Sequence, residues 1–124
     1  MSLPDELHAY ILRSPHAHAA ILSIDISKAL ANQGVRLALT GRDYLEEGLG
    51  KLPYITPLAP NWNLDNLHIA DRYPLALDKV QYVGDGVVLV VAESLQVAQN
   101  AAELVDIDYD PLPAVVSTEQ ATKP

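Results

Sequence analysis

The stretch from Gly84 to Leu104 constrains this chain more than any other. Val87 to Ala92 is an unbroken apolar, β-branched run, which reads as a strand. Ser94 then stands where a helix N-cap belongs, and the helix it opens runs to about Leu104. On that helix Ala98, Ala101, Ala102 and Val105 recur at i, i+3, i+4 and i+7 and share one face. Alanines project little, so this face can lie close against a sheet. Ahead of the strand, Gly84-Asp85-Gly86 readily supplies positive φ and predicts a tight hairpin joining Lys79–Val83 to Val87–Ala92.

The N-terminal half offers a similar order. Leu7–Leu12 predicts a strand, which Arg13-Ser14-Pro15 breaks because proline removes a ladder donor and restricts the residue before it. Ala20–Asp25 predicts a second strand. Ser27 predicts the cap of a short helix to about Asn32, which Gly34 ends. Val35–Thr40 alternates apolar and polar side chains, as a strand with one wet face does, and Gly41-Arg42-Asp43 opens a turn. From Leu45 to about Leu75 periodicity fades into a long proline-bearing loop that holds Trp62. After the second helix Val105–Tyr109 predicts a strand, Pro111-Leu112-Pro113 stops it, and residues 117–124 read as tail or linker. The predicted order is β-β-α-β, a long loop, then β-β-α-β, an α+β class.

A length of 124 residues suits one domain with a genuine core. Eight basic against 16 acidic residues give a formal charge of −8, which disfavours nucleic acid and anionic membranes as partners. No apolar run approaches the roughly 20 residues a membrane helix needs, and the N-terminus lacks a signal-peptide pattern, so a cytoplasmic location is expected. With no cysteine, disulfides, thiolate metal sites and iron–sulfur ligation are excluded within the chain.

Motifs for chemistry mostly fail their context tests. Gly84-x-Gly86 lacks a third glycine and leads into a strand, so no helix N-terminus cradles a pyrophosphate. Asp106, Asp108 and Asp110 start like a calcium loop, yet the required glycine and terminal glutamate are missing; alternation predicts a solvated acidic strand face. His16 and His18, with His8 and His68 elsewhere, have no local third ligand for zinc and are expected to be structural or interface residues. Ser14 has no nucleophile-elbow context, and no lysine stands at a hairpin tip as a carrier domain requires. The residues thus predict no catalytic, cofactor-binding or metal-binding set.

Several segments together resemble the α/β hammerhead domain of molybdenum hydroxylase large subunits, the xanthine dehydrogenase, aldehyde oxidase and carbon monoxide dehydrogenase group. They are Leu7-His8-Ala9 with Arg13-Ser14-Pro15-His16-Ala17-His18-Ala19; Ile24-Asp25 with Lys28-Ala29-Leu30; Gly34-Val35 with Thr40-Gly41-Arg42-Asp43; Asp78-Lys79-Val80 with Tyr82-Val83-Gly84; and Ala101-Ala102-Glu103-Leu104-Val105 leading to Asp108-Tyr109-Asp110-Pro111-Leu112-Pro113-Ala114-Val115. The chain departs from the family at Gly84-Asp85-Gly86-Val87-Val88, where relatives commonly carry Gly-Glu-Pro-Val-Ala.

The resemblance implies a hammerhead domain over residues 6–116, with residues 1–5 a leader or linker and 117–124 a tail or linker to absent cofactor-binding domains. It implies a parent oxidoreductase that hydroxylates aldehydes, purines or other heterocycles, or oxidises carbon monoxide, with this segment itself non-catalytic. A molybdenum–pterin cofactor would sit elsewhere in the large subunit, with FAD and [2Fe–2S] on partner subunits or segments. Expected partners are the other domains of the same large subunit and the FAD-binding and iron–sulfur subunits. Arg13, Ser14 and His16, at an abrupt strand end, together with Gly84 and Asp85, form an expected domain interface. Tyr73, Pro74 and Leu75, ahead of the Asp78-Lys79-Val80 match, form an expected wall of the substrate entrance. The alternative is a free-standing interaction or small-ligand binding module that reuses the hammerhead fold.

Overall fold

The computed structural model describes residues 3–53 and 71–122. Along them run β1 (His8–Arg13), β2 (Ala19–Asp25), α1 (Ser27–Leu30), β3 (Val35–Thr40), α2 (Gly41–Glu46), β4 (Lys79–Val80), β5 (Gly86–Ala92), α3 (Leu95–Ala102), β6 (Asp106–Pro111) and α4 (Thr118–Ala121). The expected α+β class and order stand, with α2 and α4 added. The strands form two three-stranded antiparallel sheets, ordered β1-β5-β3 and β4-β2-β6. Successive strands alternate between the sheets, so none pairs with its neighbour in sequence.

The unbroken apolar run is explained by position. β5 is the central strand, with Val90 opposite Tyr10 on one side and Ala38 on the other. Val87, Val88, Val90 and Ala92 are fully buried. Each buried valine contributes at most about 1.5–3 kcal/mol of transfer free energy. α3 packs on β1 and β5 through Ala98, Ala101 and Ala102, the face its periodicity predicts. The Ser94 hydroxyl caps it by accepting the Val97 N–H at 3.2 Å. In the second sheet Ile107 and Tyr109 of β6 turn inward, while Asp106, Asp108 and Asp110 face solvent.

Four expectations need correction. The hairpin at Gly84–Gly86 does not form. Gly84 has φ +92° and the Asp85 N–H closes a turn on the Tyr82 carbonyl at 3.1 Å, but β4 pairs with β2 and β5 begins in the other sheet. The turn therefore carries the chain between sheets. Gly41-Arg42-Asp43 starts a helix, because Thr40 and Asp43 form a reciprocal capping box. Ser27 does not cap α1: Ile26 holds that position, and the Asp25 carboxylate accepts the Ser27 N–H at 2.9 Å. Within the expected tail, Ser117 caps the short helix α4 by accepting the Gln120 N–H at 3.1 Å. Of the expected long loop, residues 45 and 46 belong to α2, and Pro57, Pro60, Trp62 and His68 lie outside the described residues.

Candidate functional site

The five expected interface residues are separated by some 70 positions in sequence yet meet at one joint between the sheets. The Ser14 N–H donates to the Asp85 carbonyl and the Gly84 N–H returns to the Ser14 carbonyl, both at 2.8 Å. The Arg13 guanidinium donates to the Gly84 carbonyl at 2.8 Å. Ser14 is only 2% exposed; its hydroxyl accepts the His16 N–H at 3.0 Å and donates to the His16 carbonyl at 3.1 Å. The His16 ring tilts against Tyr109, with centroids 4.9 Å apart. Burial pushes the Tyr109 phenol above its usual range, a shift that the neighbouring Ser14 hydroxyl opposes and the nearby Asp85 charge reinforces. Asp85 is turned back into its own loop, its carboxylate accepting the Gln81 N–H at 3.1 Å. Ser14 is thus an internal clamp, whereas Arg13 remains exposed.

Tyr73, Pro74 and Leu75 line a cleft of about 670 Å³ that Asp85 and Tyr82 also border. The two sets of candidates therefore adjoin, which their sequence positions did not indicate. Leu75 is the buried anchor of this wall, Tyr73 is half-buried and Pro74 is exposed. The Ala76 N–H donates to the Gly86 carbonyl at 2.7 Å, and the Ile21 N–H to the Asp78 carbonyl at 2.8 Å, which fix the wall against both sheets. At the other rim the Leu52 N–H donates to the Arg72 carbonyl at 2.9 Å, and Lys51 pairs with Asp71 at 2.6 Å. The bond that the Lys51 ammonium donates to the Asp71 carboxylate holds it above its usual range.

A second groove, of about 460 Å³, lies across the Lys79–Tyr82 segment from this cleft. It is lined by His18, Tyr82, Val83 and Pro113 to Val116, with Ala17, Lys79 and Gln81. Sequence reasoning missed it. The available signal was a pair of short apolar doublets, Tyr82-Val83 and Val115-Val116, which the fold leaves outside its strands, β4 ending at Val80 and not at the expected Val83.

The remaining candidates are accounted for individually. His18 Nδ1 donates to the Pro113 carbonyl at 2.9 Å, which requires its Nδ1–H form, while the His16 ring packs at a tilt against Tyr109; the two imidazoles serve different partners. His8 lies 3.8 Å from Glu6. Asp106 is paired with Lys28 at 2.6 Å. Among the described residues no cluster of three or more His, Asp or Glu side chains is placed to hold a metal ion. No described helix is long and apolar enough to cross a membrane.

Residues 1–113 match the family model described as aldehyde oxidase and xanthine dehydrogenase, a/b hammerhead domain. The chain is an α/β hammerhead domain of that family. It is 39% identical to the 6-hydroxypseudooxynicotine dehydrogenase complex subunit gamma of Paenarthrobacter nicotinovorans, over 98% of this chain and 15% of that protein. Among solved structures, quinoline 2-oxidoreductase from Pseudomonas putida 86 superposes with a TM-score of 0.86 and 36% identity, covering 98% of this chain and 14% of its own. The Cu,Mo-CO dehydrogenase superposes with a TM-score of 0.82 and 38% identity, over 100% of this chain and 14% of its own. The hammerhead domain thus spans about one-seventh of the proteins it matches.

Proposed function

We propose that this hammerhead domain is a non-catalytic scaffold of a molybdenum-dependent oxidoreductase large subunit, spanning residues 6–116, and that its Tyr73–Leu75 wall borders the path by which substrate enters. The observation that carries the reading is the near-complete match of this chain to about one-seventh of much longer enzymes, with the fold intact. The parent enzyme would hydroxylate an aldehyde, a purine or another heterocycle, or oxidise carbon monoxide. Its location would be cytoplasmic.

The molybdenum–pterin cofactor would be held by other domains of the large subunit, and FAD and [2Fe–2S] by partner subunits or segments. The donor set here supports that division: the chain has no cysteine to ligate iron, and its described acidic and histidine side chains are dispersed. What the domain supplies is position. A wall anchored to both sheets presents Tyr73 and Pro74 at a fixed place, as a selective passage requires.

The test is Tyr73→Ala in the full-length enzyme. The expected result is a changed ratio of kcat/KM between small and bulky substrates, with metal content unaltered. Unchanged selectivity would remove the entrance role. In parallel, the 124-residue chain purified alone should carry no molybdenum or pterin and show no turnover; stoichiometric metal or activity would overturn the scaffold reading.

A further inference from the structure

We infer that the groove between Tyr82-Val83 and Pro113–Val116 is the seat of an apolar, acid-bearing segment from the rest of the same large subunit. The inference rests on the scaffold reading above and names the surface through which it operates. Three observations support it.

The first is exposure. Tyr82 is 59% exposed, Val83 and Val115 are 65% exposed, and Val116 is 85% exposed, and all four line one groove. Isolated surface apolar residues are ordinary, but a contiguous set around a concavity marks an interaction surface.

The second is that the groove is shaped in advance. The Leu112 N–H donates to the His18 carbonyl and His18 Nδ1 donates to the Pro113 carbonyl, both at 2.9 Å, so the far wall is tied to the start of β2 before any partner arrives. A groove fixed in this way loses little conformational freedom on being filled.

The third is charge. The chain carries a formal charge of −8, yet among the described residues no carboxylate lines this groove, and Lys79 is part of its lining. The cleft on the other side of Lys79 differs, with Asp71, Asp78 and Asp85 in its walls. An occupant with apolar side chains and a carboxylate or carbonyl near Lys79 complements the groove. Relatives in which this fold makes up about one-seventh of the polypeptide carry ample further chain to provide it.

Hydrogen exchange tests this on two samples: the 124-residue chain alone and the full-length large subunit that contains it. The amides of residues 80–84 and 114–116 should exchange at least about tenfold more slowly in the full-length subunit. Val83→Asp and Val116→Asp should abolish that protection there, while Ser23→Asp, on an exposed strand position away from the groove, should not. Circular dichroism of the 124-residue variants checks that they remain folded. If other faces of the domain become protected while the groove exchanges as in the isolated chain, the inference fails and the scaffold reading survives. If no face gains protection, both fail. Groove protection in the isolated chain that is lost on dilution would assign the groove to a second copy and also overturn the inference.

Discussion

Gly41 and Ala76 pack so closely that a side chain at Gly41 would overlap the Ala76 carbonyl oxygen, with Leu77 Cδ2 also only 2.9 Å away. This contact locks the first turn of α2 against the segment that leads from the Tyr73–Leu75 wall to β4. Gly41→Ala must push backbone, not a pliant side chain. The expected loss is about 1–3 kcal/mol, read by urea unfolding. Gly84→Ala meets nothing within 4 Å but places a Cβ at φ +92°, so its expected cost of about 1–2 kcal/mol is conformational. An unfolding midpoint unchanged in Gly41→Ala would show that this contact is loose.

Ser14→Ala removes the buried hydroxyl at the joint and leaves the half-buried His16 N–H without its acceptor. A loss of about 1–3 kcal/mol is expected. The Tyr109 phenol should also titrate higher in this variant, because the neighbouring Ser14 hydroxyl is what opposes the upward shift. Ultraviolet difference titration of tyrosine measures this.

Alkaline stability should depend on Tyr109. Its folded-state value is raised above the ordinary 10.0, so the native protein keeps the phenolic proton over a range where the unfolded chain has released it. The native state then binds more protons, and stability falls as pH rises above about 10. Lys28 and Lys51, both raised above 10.5 by their aspartate partners, act in the same direction because their charged forms are favoured in the folded state. Tyr109→Phe should therefore have a shallower alkaline limb than the parent chain, and an identical slope would show that Tyr109 titrates as it does when unfolded.

Burial separates two further substitutions. Val90→Ala empties part of the centre of β5 and should cost about 2–3 kcal/mol. Lys28→Ala breaks an ion pair that is short, at 2.6 Å, but exposed on both sides; the thermal unfolding midpoint should hardly move. Equal effects would mean that distance, and not solvent access, governs such pairs here.

Elements whose signals are local were legible in the sequence. β3 spans Val35–Thr40 as its alternation predicts, and Ser94 with the alanine face defines α3. The errors concern choices between partners. Gly84 adopts the positive φ its composition suggests, yet nothing local specifies that Lys79-Val80 pairs with Ala19-Ala20 and not with β5. Thr40-Gly41-Arg42-Asp43 held a readable capping box that its glycine disguised as a turn. Ser27 lost the cap position because Asp25, two residues earlier, already serves its N–H. Within the candidate site, the meeting of Arg13, Ser14 and His16 with the distant Gly84 and Asp85 depends on sheet pairing, which no local signal specifies. The second groove was invisible, since its two apolar doublets come together only when His18 ties down the chain beyond β6.

Because each described strand lies in the sheet that its sequence neighbour does not, the described residues hold no hairpin from which to nucleate, and each of their ladders must wait for a distant segment to arrive. Entropy of loop closure is spent before any ladder is gained, so refolding should be slow for a chain this size. The same interleaving leaves no place to cut: removing either half takes strands from both sheets at once, and the domain must be inherited, expressed and unfolded as an indivisible whole.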